Sequence, residues 1–591
     1  MTIKKRSEIE NSLKWNIETM YPHEDLWEND VKDIIKLMEE FRSLSGKFCN
    51  SAASLYDAIS KKDEIWRKLE KVFVYAHMKL DEDNTNTKYQ GMNSKCQNLI
   101  AKVSSSLSFF TPEILLLEKS VIDDYIDSDE RLETYRFYFD TLFREKDHVL
   151  TEKEENILAQ LSEALRGPSD TFTMLNNADM KFDDVDGKPL THGNYINYME
   201  SKNRKIRKTA YKNMYKEYLS LNNTLATTYS YNVKTNAISS QLRKYPNAIE
   251  ASLYGDNIPL SVYNNLIDAV HEHLDSLHKY TSLRKKALKL EELKMYDVYV
   301  PICNVPDKKY TFDDAVNIMK KALAPLGEEY IDVLMNGIKD GWVDIYENQG
   351  KTSGAYSFGS YDSMPYILMN FSGSLKDVFT LVHECGHSMH SYFTRRNQPF
   401  IYGGHSIFTA EVASTVNEAL LINYLLENEK DQEVRKYLIN FHIEEFRTTL
   451  FRQTMFAEFE KLTHETVEKG MPLTTDFLND EYEKLNSKYF GDVLSKDEYI
   501  KYEWSRIPHF YRAFYVYQYA TGYSAATAIA KNILEDKENA RNNYLKFLKT
   551  GESDYPVELL KIAGVDMSKK ESIEDALIVF DELVDEMRYL V

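Results

Sequence analysis

The sequence predicts a mainly α-helical fold, with a small β-sheet embedded in a large helical body. Three observations predict it. Only 21 Gly and 14 Pro occur in 591 residues, each about half the usual share, and few breakers means long helices. Apolar residues recur at three- and four-residue steps along much of the chain. Strand-like runs are few, short and gathered just before residue 371.

Along the chain, periodicity predicts helices over 25–44, 56–80, 86–107, 132–143, 153–165, 203–242, 259–288, 312–323, 431–468 and 573–589. The stretch 180–190 reads as a small hairpin turning at Asp186-Gly187. It marks the expected seam between an N-terminal helical part, 1–190, and a catalytic part, 191–591. Residues 342–346 alternate apolar and polar, 365–371 are apolar and rich in strand formers, and 354–358 form a third candidate strand. Such a sheet would offer an edge to an extended peptide. The segment 373–396 is a well-signalled helix. Ser374 caps it with Asp377 three residues on, Leu375, Val378, Phe379, Val382, Gly386 and Met389 form one apolar face, and Arg395 and Arg396 suit its C-terminus. Gly386 has a helix cost, so a close neighbour that would clash with a larger side chain is expected there. A second helix starts near Thr409. Residues 513–530 carry no charge, a length that raises a membrane question; their Tyr, Gln, Thr and Ser argue for a buried helix instead.

Inside the helix at 373–396 stands His383-Glu384-Cys385-Gly386-His387, an H-E-x-x-H pattern. Positions i and i+4 share a helix face, so His383 and His387 can hold one metal ion, and Glu384 can take a proton from a water on that metal. The pattern is short enough to arise by chance, and its capped helix is the first argument against chance. A zinc site of this type needs a third protein ligand and an open position. Glu411 on the following helix and His405 in a Gly-rich loop are the candidates. Glu411 is favoured because a helix holds a ligand more rigidly. Glu418, two turns further on, either accepts from the outer nitrogen of a ligand histidine or is a solvated carboxylate. His390 and Phe393 exclude the metzincin pattern, which needs Gly and His at those positions.

Attack on a carbonyl builds negative charge on its oxygen, and donors must meet it. Residues 506–526 hold His509, Tyr511, Tyr515, Tyr517, Tyr519 and Tyr523. On a helix, Tyr511, Tyr515, Tyr519 and Tyr523 would share a face, and phenols are neutral donors at pH 7. The plain alternative is aromatic core, since the chain has 42 Tyr.

The arrangement resembles the oligopeptidase family that contains thimet oligopeptidase and oligoendopeptidase F, most of all the latter branch. The resemblance rests on HECGHSMH at 383–390, EVASTVNE at 411–418, and the runs at 351–371 and 506–526. It covers most of the chain and is weakest in the first hundred residues. It implies a zincin-like core, one Zn2+ per chain held by His383, His387 and Glu411, and Glu384 as the catalytic base. It also implies one His and one or two Tyr contacting the transition state, assigned to His509, Tyr515 and Tyr519 with Tyr523 open. Family members enclose the zinc in a peptide channel, which implies short oligopeptides as substrates.

Composition bounds the rest. A net charge of −20 argues against nucleic acid. Cys49, Cys96, Cys303 and Cys385 are too scattered for a disulfide framework or a zinc ribbon. They fit a reducing compartment, and the N-terminus shows no apolar signal region, so a cytoplasmic protein without membrane association is expected. Cys385 reads as buried packing. Oligomeric state is not legible. The expected function is zinc-dependent hydrolysis of internal bonds in short oligopeptides. The alternatives are dipeptidyl- or carboxypeptidase action on the same site, or a non-catalytic peptide-binding helical scaffold.

Overall fold

The helices form largely where periodicity puts them. The computed structural model describes residues 3–304, 308–536 and 538–591. Among these, Glu24–Arg42, Ala52–Glu82, Thr87–Leu107, Glu152–Leu165, Phe312–Ala322, Leu375–Asn397, Ile407–Asn428 and Glu571–Leu590 match expected helices to within a few residues. Four expected helices are divided. The 203–242 run breaks at Leu221, beside the buried Asn222, whose side-chain oxygen accepts from the Asn479 amide. The 259–288 run breaks at His273, whose ring reaches Asp581 at 3.0 Å. The 431–468 run contains a π-helical stretch, Phe446–Phe451, between two α-helices. The 132–143 run opens as the 3-10 helix Glu130–Tyr135 before Arg136–Arg144. No single helix among the described residues is long and apolar enough to cross a membrane.

The chain folds into two compact units, each built from three stretches. They are a different division from the consecutive parts 1–190 and 191–591, because later helices return to pack beside earlier ones. The expected hairpin lies in the second unit. It shrinks to one bridge, Val185 with Lys188, around a turn with Asp186 and Gly187 at φ 52° and 72°, as a tight hairpin turn requires.

The first unit comprises Met1–Lys146, Lys308–Tyr424 and Ile529–Gly564. Its core joins Trp27, Ile34 and Phe41 to Leu55, Ile59, Leu69 and Val72, and to Leu99 and Val103. The buried Trp27 indole satisfies its N–H on the Val72 carbonyl at 2.9 Å. Three short strands make the sheet: β1 (Val343–Asp344), β2 (Tyr356–Phe358) and β3 (Tyr366–Leu368), in the order β1-β3-β2. β1 runs parallel to β3, with Val343 opposite Ile367, and β2 antiparallel, with Ser357 opposite Ile367. β3 is central and buried throughout, which is why 365–371 is apolar without alternation. Its Tyr366 and Leu368 join the helical core. Three residues beyond Met369-Asn370-Phe371, the chain enters the helix that carries the H-E-x-x-H residues.

A buried ionic group fastens the N-terminal segment to this sheet. Asp344, on β1, takes Arg6 at 2.5 Å and Lys351 at 2.6 Å, and accepts the Trp15 N–H at 3.3 Å. Lys351 also donates to the carbonyls of Tyr346 and Met369. A cavity of about 1980 Å³ opens beside this group, lined by Arg6, Trp15, Glu82, Trp342 and Arg395 among others. None of the H-E-x-x-H residues lines it, so size alone does not locate the chemistry.

The second unit comprises Asp147–Asp307, Leu425–Ala528 and Val565–Val591. Much of the tyrosine content is spent on its interior. Tyr215, Tyr229, Tyr263, Tyr280, Tyr482 and Tyr489 are fully buried, and their hydroxyls find partners. Tyr263 donates to the Ala457 carbonyl at 2.7 Å and Tyr482 to Glu503 at 2.6 Å. Arg452 balances Glu503 at 2.8 Å. Buried phenols with satisfied hydroxyls combine large apolar area with fixed orientation.

Burial works against the Asp344 charge, but Arg6 and Lys351 outweigh it and hold the carboxyl below its usual range. Its contribution to stability is therefore present above the ordinary carboxylate pKa and is lost as pH falls through the folded value. Asp344→Asn leaves the buried Lys351 without its carboxylate and Arg6 with Glu82 alone, and should cost about 3–5 kcal/mol. Thermal unfolding checks this: Tm should fall at pH 7, and the gap between variant and parent should narrow in acid.

Candidate active site

The H-E-x-x-H helix begins with a reciprocal cap. The Ser374 hydroxyl accepts the Asp377 N–H at 3.2 Å, and the Asp377 carboxylate accepts the Ser374 N–H at 2.8 Å. Asp377 also takes both donors of Ser372. At the other end Arg395 folds back to the carbonyls of Gly359 and Ser360.

Gly386 explains how this helix meets the next one. A Cβ built there would lie 2.5 Å from the Ser414 Cα and 2.7 Å from the Ala413 carbonyl oxygen. The two backbones touch, and only glycine permits it. One turn earlier, the Asn417 amide donates to the Val382 carbonyl at 3.2 Å and accepts from the Tyr330 hydroxyl at 3.0 Å. Asn417 is fully buried. It was not singled out from the sequence, although a polar residue inside an apolar helical face was a signal.

This contact brings Glu411 over the histidine pair. Its Oε2 lies 3.5 Å from His383 Nε2 and 3.4 Å from His387 Nε2. Bonds of about 2.0–2.1 Å to a tetrahedral ion place ligand atoms about 3.3–3.4 Å apart, so the three donors fit a small divalent cation. His383, His387 and Glu411 form a group whose donor atoms are all mutually close. Glu418 sits behind them, with Oε1 3.2 Å from His383 Nδ1. A carboxylate on Nδ1 would leave Nε2 for a metal, the role weighed for Glu418 against a solvated surface carboxylate.

The field at this point favours positive charge. Burial opposes charging the His383 ring, yet the Glu418 hydrogen bond and the nearby Glu384 and Glu411 carboxylates raise its pKa to about 9. Glu411 is lowered to about 2, chiefly by its hydrogen bond from His387. Glu384, between the two histidines, is raised instead, mainly by burial. It accepts the Ser357 N–H of β2 and has no Lys or Arg partner among the described ion pairs.

His405 does something else. Its Nε2 lies 2.9 Å from the Thr394 hydroxyl, and its ring centroid is 3.7 Å from that of His390, the planes tilted by 36°. Burial, together with nearby positive charge, lowers it to about 3. His390 is buried in the same cluster. Cys385 is fully buried, and burial pushes its thiol pKa up, which fits packing rather than reactivity.

In the second unit, the segment 506–526 is not one helix. Tyr511 lies in the 3-10 turn Pro508–Tyr511, Phe514 has φ 53°, and the α-helix starts only at Tyr517. The single face expected for Tyr511, Tyr515, Tyr519 and Tyr523 is therefore corrected. Tyr511 stacks on Phe172 and bonds Thr228; Tyr523 is buried with its ring on Phe446. His509, Tyr515 and Tyr519 do come together. The His509 and Tyr515 rings are parallel at 6.2 Å, Tyr519 stands edge-on to both, and its hydroxyl is 3.3 Å from that of Tyr515. Burial and then Arg512 lower the His509 pKa, so the ring is neutral at pH 7.

The chain as a whole is similar to known peptidases. A model described as peptidase family M3 matches residues 197–578, and one described as oligopeptidase F matches residues 113–182. The oligopeptidase PepF of Bacillus subtilis (strain 168) is 46% identical over 591 aligned residues, covering 99% of this chain and 88% of the relative. An oligoendopeptidase F homolog of Lactococcus lactis subsp. lactis is 42% identical, covering 100% and 99%. The crystal structure of oligoendopeptidase-F from Enterococcus faecium superposes with TM-score 0.74 at 39% identity, covering 96% and 99%. A crystal structure from Chlamydophila abortus superposes with TM-score 0.95 at 37% identity over the whole of both chains.

The ligand assignment is checked by metal content. Glu411→Ala should lose bound zinc after dialysis, whereas His405→Ala should keep about one zinc per chain, both read by atomic absorption on folded protein. The opposite pattern would make His405 the third ligand.

Proposed function

The chain belongs to peptidase family M3, and from that premise we propose that this oligopeptidase is zinc-dependent and cuts internal bonds of short peptides. The observation that carries the proposal is Glu384: a buried carboxyl with no Lys or Arg partner among the described residues, one residue from His383 of a three-donor group that could hold a metal. A purely structural metal site would have no use for it.

Zinc in this site supplies Lewis acidity, acidifying water and polarising a peptide carbonyl. The protein's own residues supply the rest. Glu384, its proton affinity raised by burial, removes a proton from the attacking water and later returns it to the departing amine. Glu418 keeps the His383 ring in register. β2 lies at one edge of the sheet and carries Ser357, whose N–H meets Glu384. We assign its outer edge to the main chain of an extended substrate, which explains binding with little regard to side chains. His509, Tyr515 and Tyr519 are proposed as donors to the developing oxyanion; what supports this is their neutral donor chemistry and their mutual contact.

Glu384→Gln should retain one zinc per chain while kcat on an internally quenched peptide falls about 10²–10⁴-fold. Unchanged hydrolysis would sink the role of Glu384. In the same assay, a peptide blocked at both ends should still be cleaved; cleavage only of peptides with a free terminus would instead indicate exopeptidase action.

A further inference from the structure

Glu460 is fully buried in the second unit, on the helix Arg452–Glu468, and no histidine, lysine or arginine pairs with it among the described residues. One carboxyl oxygen accepts the Phe514 N–H at 2.7 Å; the other has no hydrogen-bond partner. A buried carboxyl in such surroundings has to be explained, because desolvating it is costly. Its one contact falls on an unusual residue. Phe514 is at φ 53°, a region that bulky side chains avoid, and its ring is buried against His464 and Tyr263. Tyr515 follows directly.

The segment leading to this turn is tied down from another helix. The Asn232 amide donates to the Phe510 carbonyl at 3.2 Å, and Thr228 bonds the Tyr511 hydroxyl at 2.9 Å. These contacts hold the 3-10 turn that bears His509. The left-handed turn at Phe514, which redirects the chain so that Tyr515 meets both His509 and Tyr519, is held by Glu460.

We propose that Glu460 is the positioning residue for the His509–Tyr515–Tyr519 group, acting through the Phe514 N–H to fix the turn from which Tyr515 projects. The proposal rests on the reading of those three residues as oxyanion donors. Burial raises the Glu460 pKa well above the usual carboxylate range, and the contact with Phe514 needs only an acceptor oxygen. Glutamine has the same shape and the same acceptor; leucine has the volume without it.

The test measures kcat and KM on an internally quenched peptide, with zinc content and thermal melting as controls. Glu460→Gln should keep kcat within about twofold of the parent. Glu460→Leu should lower kcat about 10- to 100-fold, less than the roughly 100- to 1000-fold cost of losing an oxyanion donor outright, with KM changed less than about threefold and zinc retained. In a Tyr515→Phe, Tyr519→Phe background, Glu460→Leu should cost nothing further, because the groups it positions are gone. An equal loss in both backgrounds would make Glu460 merely structural and overturn the proposal, as would parental kcat in Glu460→Leu. If the two Tyr→Phe changes alone leave kcat unchanged, the reading of the tyrosines is wrong and the positioning role falls with it. If they lower kcat and Glu460→Leu does not, only the positioning role is wrong. Should Glu460→Leu fail to fold, hydrogen exchange of the wild-type protein decides. The Phe514 amide lies outside any helix, yet it should exchange at least about 100-fold slower than in a free peptide; free-peptide exchange would overturn the proposal.

Discussion

The contact between two helix backbones at Gly386 determines the geometry on which the chemistry depends. Ligands i and i+4 on one helix can share an ion, but they define only one edge of a coordination polyhedron. The third ligand must arrive from another element at a separation set by bond lengths. Here the helix Ile407–Asn428 lies so close that no side chain fits between Gly386 and the Ala413–Ser414 backbone. Glu411, one turn before that contact, is brought to 3.4–3.5 Å from both ring nitrogens. Asn417, one turn after it, locks the crossing through Val382 and Tyr330.

The electrostatics follow from that geometry. Bringing Glu411 and Glu418 to opposite sides of His383, with Glu384 beside it, concentrates negative charge where burial weakens solvent screening. Those neighbours raise the His383 pKa to about 9 and lower that of Glu411 to about 2, so Glu411 takes up a proton only in strong acid. A divalent cation satisfies the same field better than a proton does. Glu384 shares the location but not the compensation, and burial leaves it more basic than an ordinary glutamate. One packing decision thus brings together a three-donor group that could hold a cation and a glutamate whose proton affinity is raised.

Much of this was legible in the sequence because it depends on local rules. Ser374 with Asp377 announced the helix, the four-residue spacing of the histidines announced that the two rings share a face, and Gly386 in mid-helix announced a close neighbour. The long helices followed from apolar periodicity and the scarcity of Gly and Pro. What was not legible depends on tertiary contacts. Nothing local says that helices should break at Leu221 or His273; the breaks coincide with contacts to the distant Asn479 and Asp581. The run 506–526 reads as a helix because no Gly marks the left-handed turn at Phe514. A carboxyl fifty-four residues away, Glu460, takes the place of that signal. The interleaved units were hidden for the same reason, since contact between distant stretches leaves no trace in periodicity.

The measurement that tests the central claim most directly is the zinc affinity of Gly386→Ala, by chelator competition, with helicity and melting as controls for folding. A methyl group at 2.5 Å from the Ser414 Cα must push the helices apart and move Glu411 from the histidines. The account predicts a folded protein whose zinc affinity is lower by about 10- to 100-fold, the scale at which supporting contacts tune metal sites. A folded Gly386→Ala protein that binds zinc as tightly as the parent would contradict it.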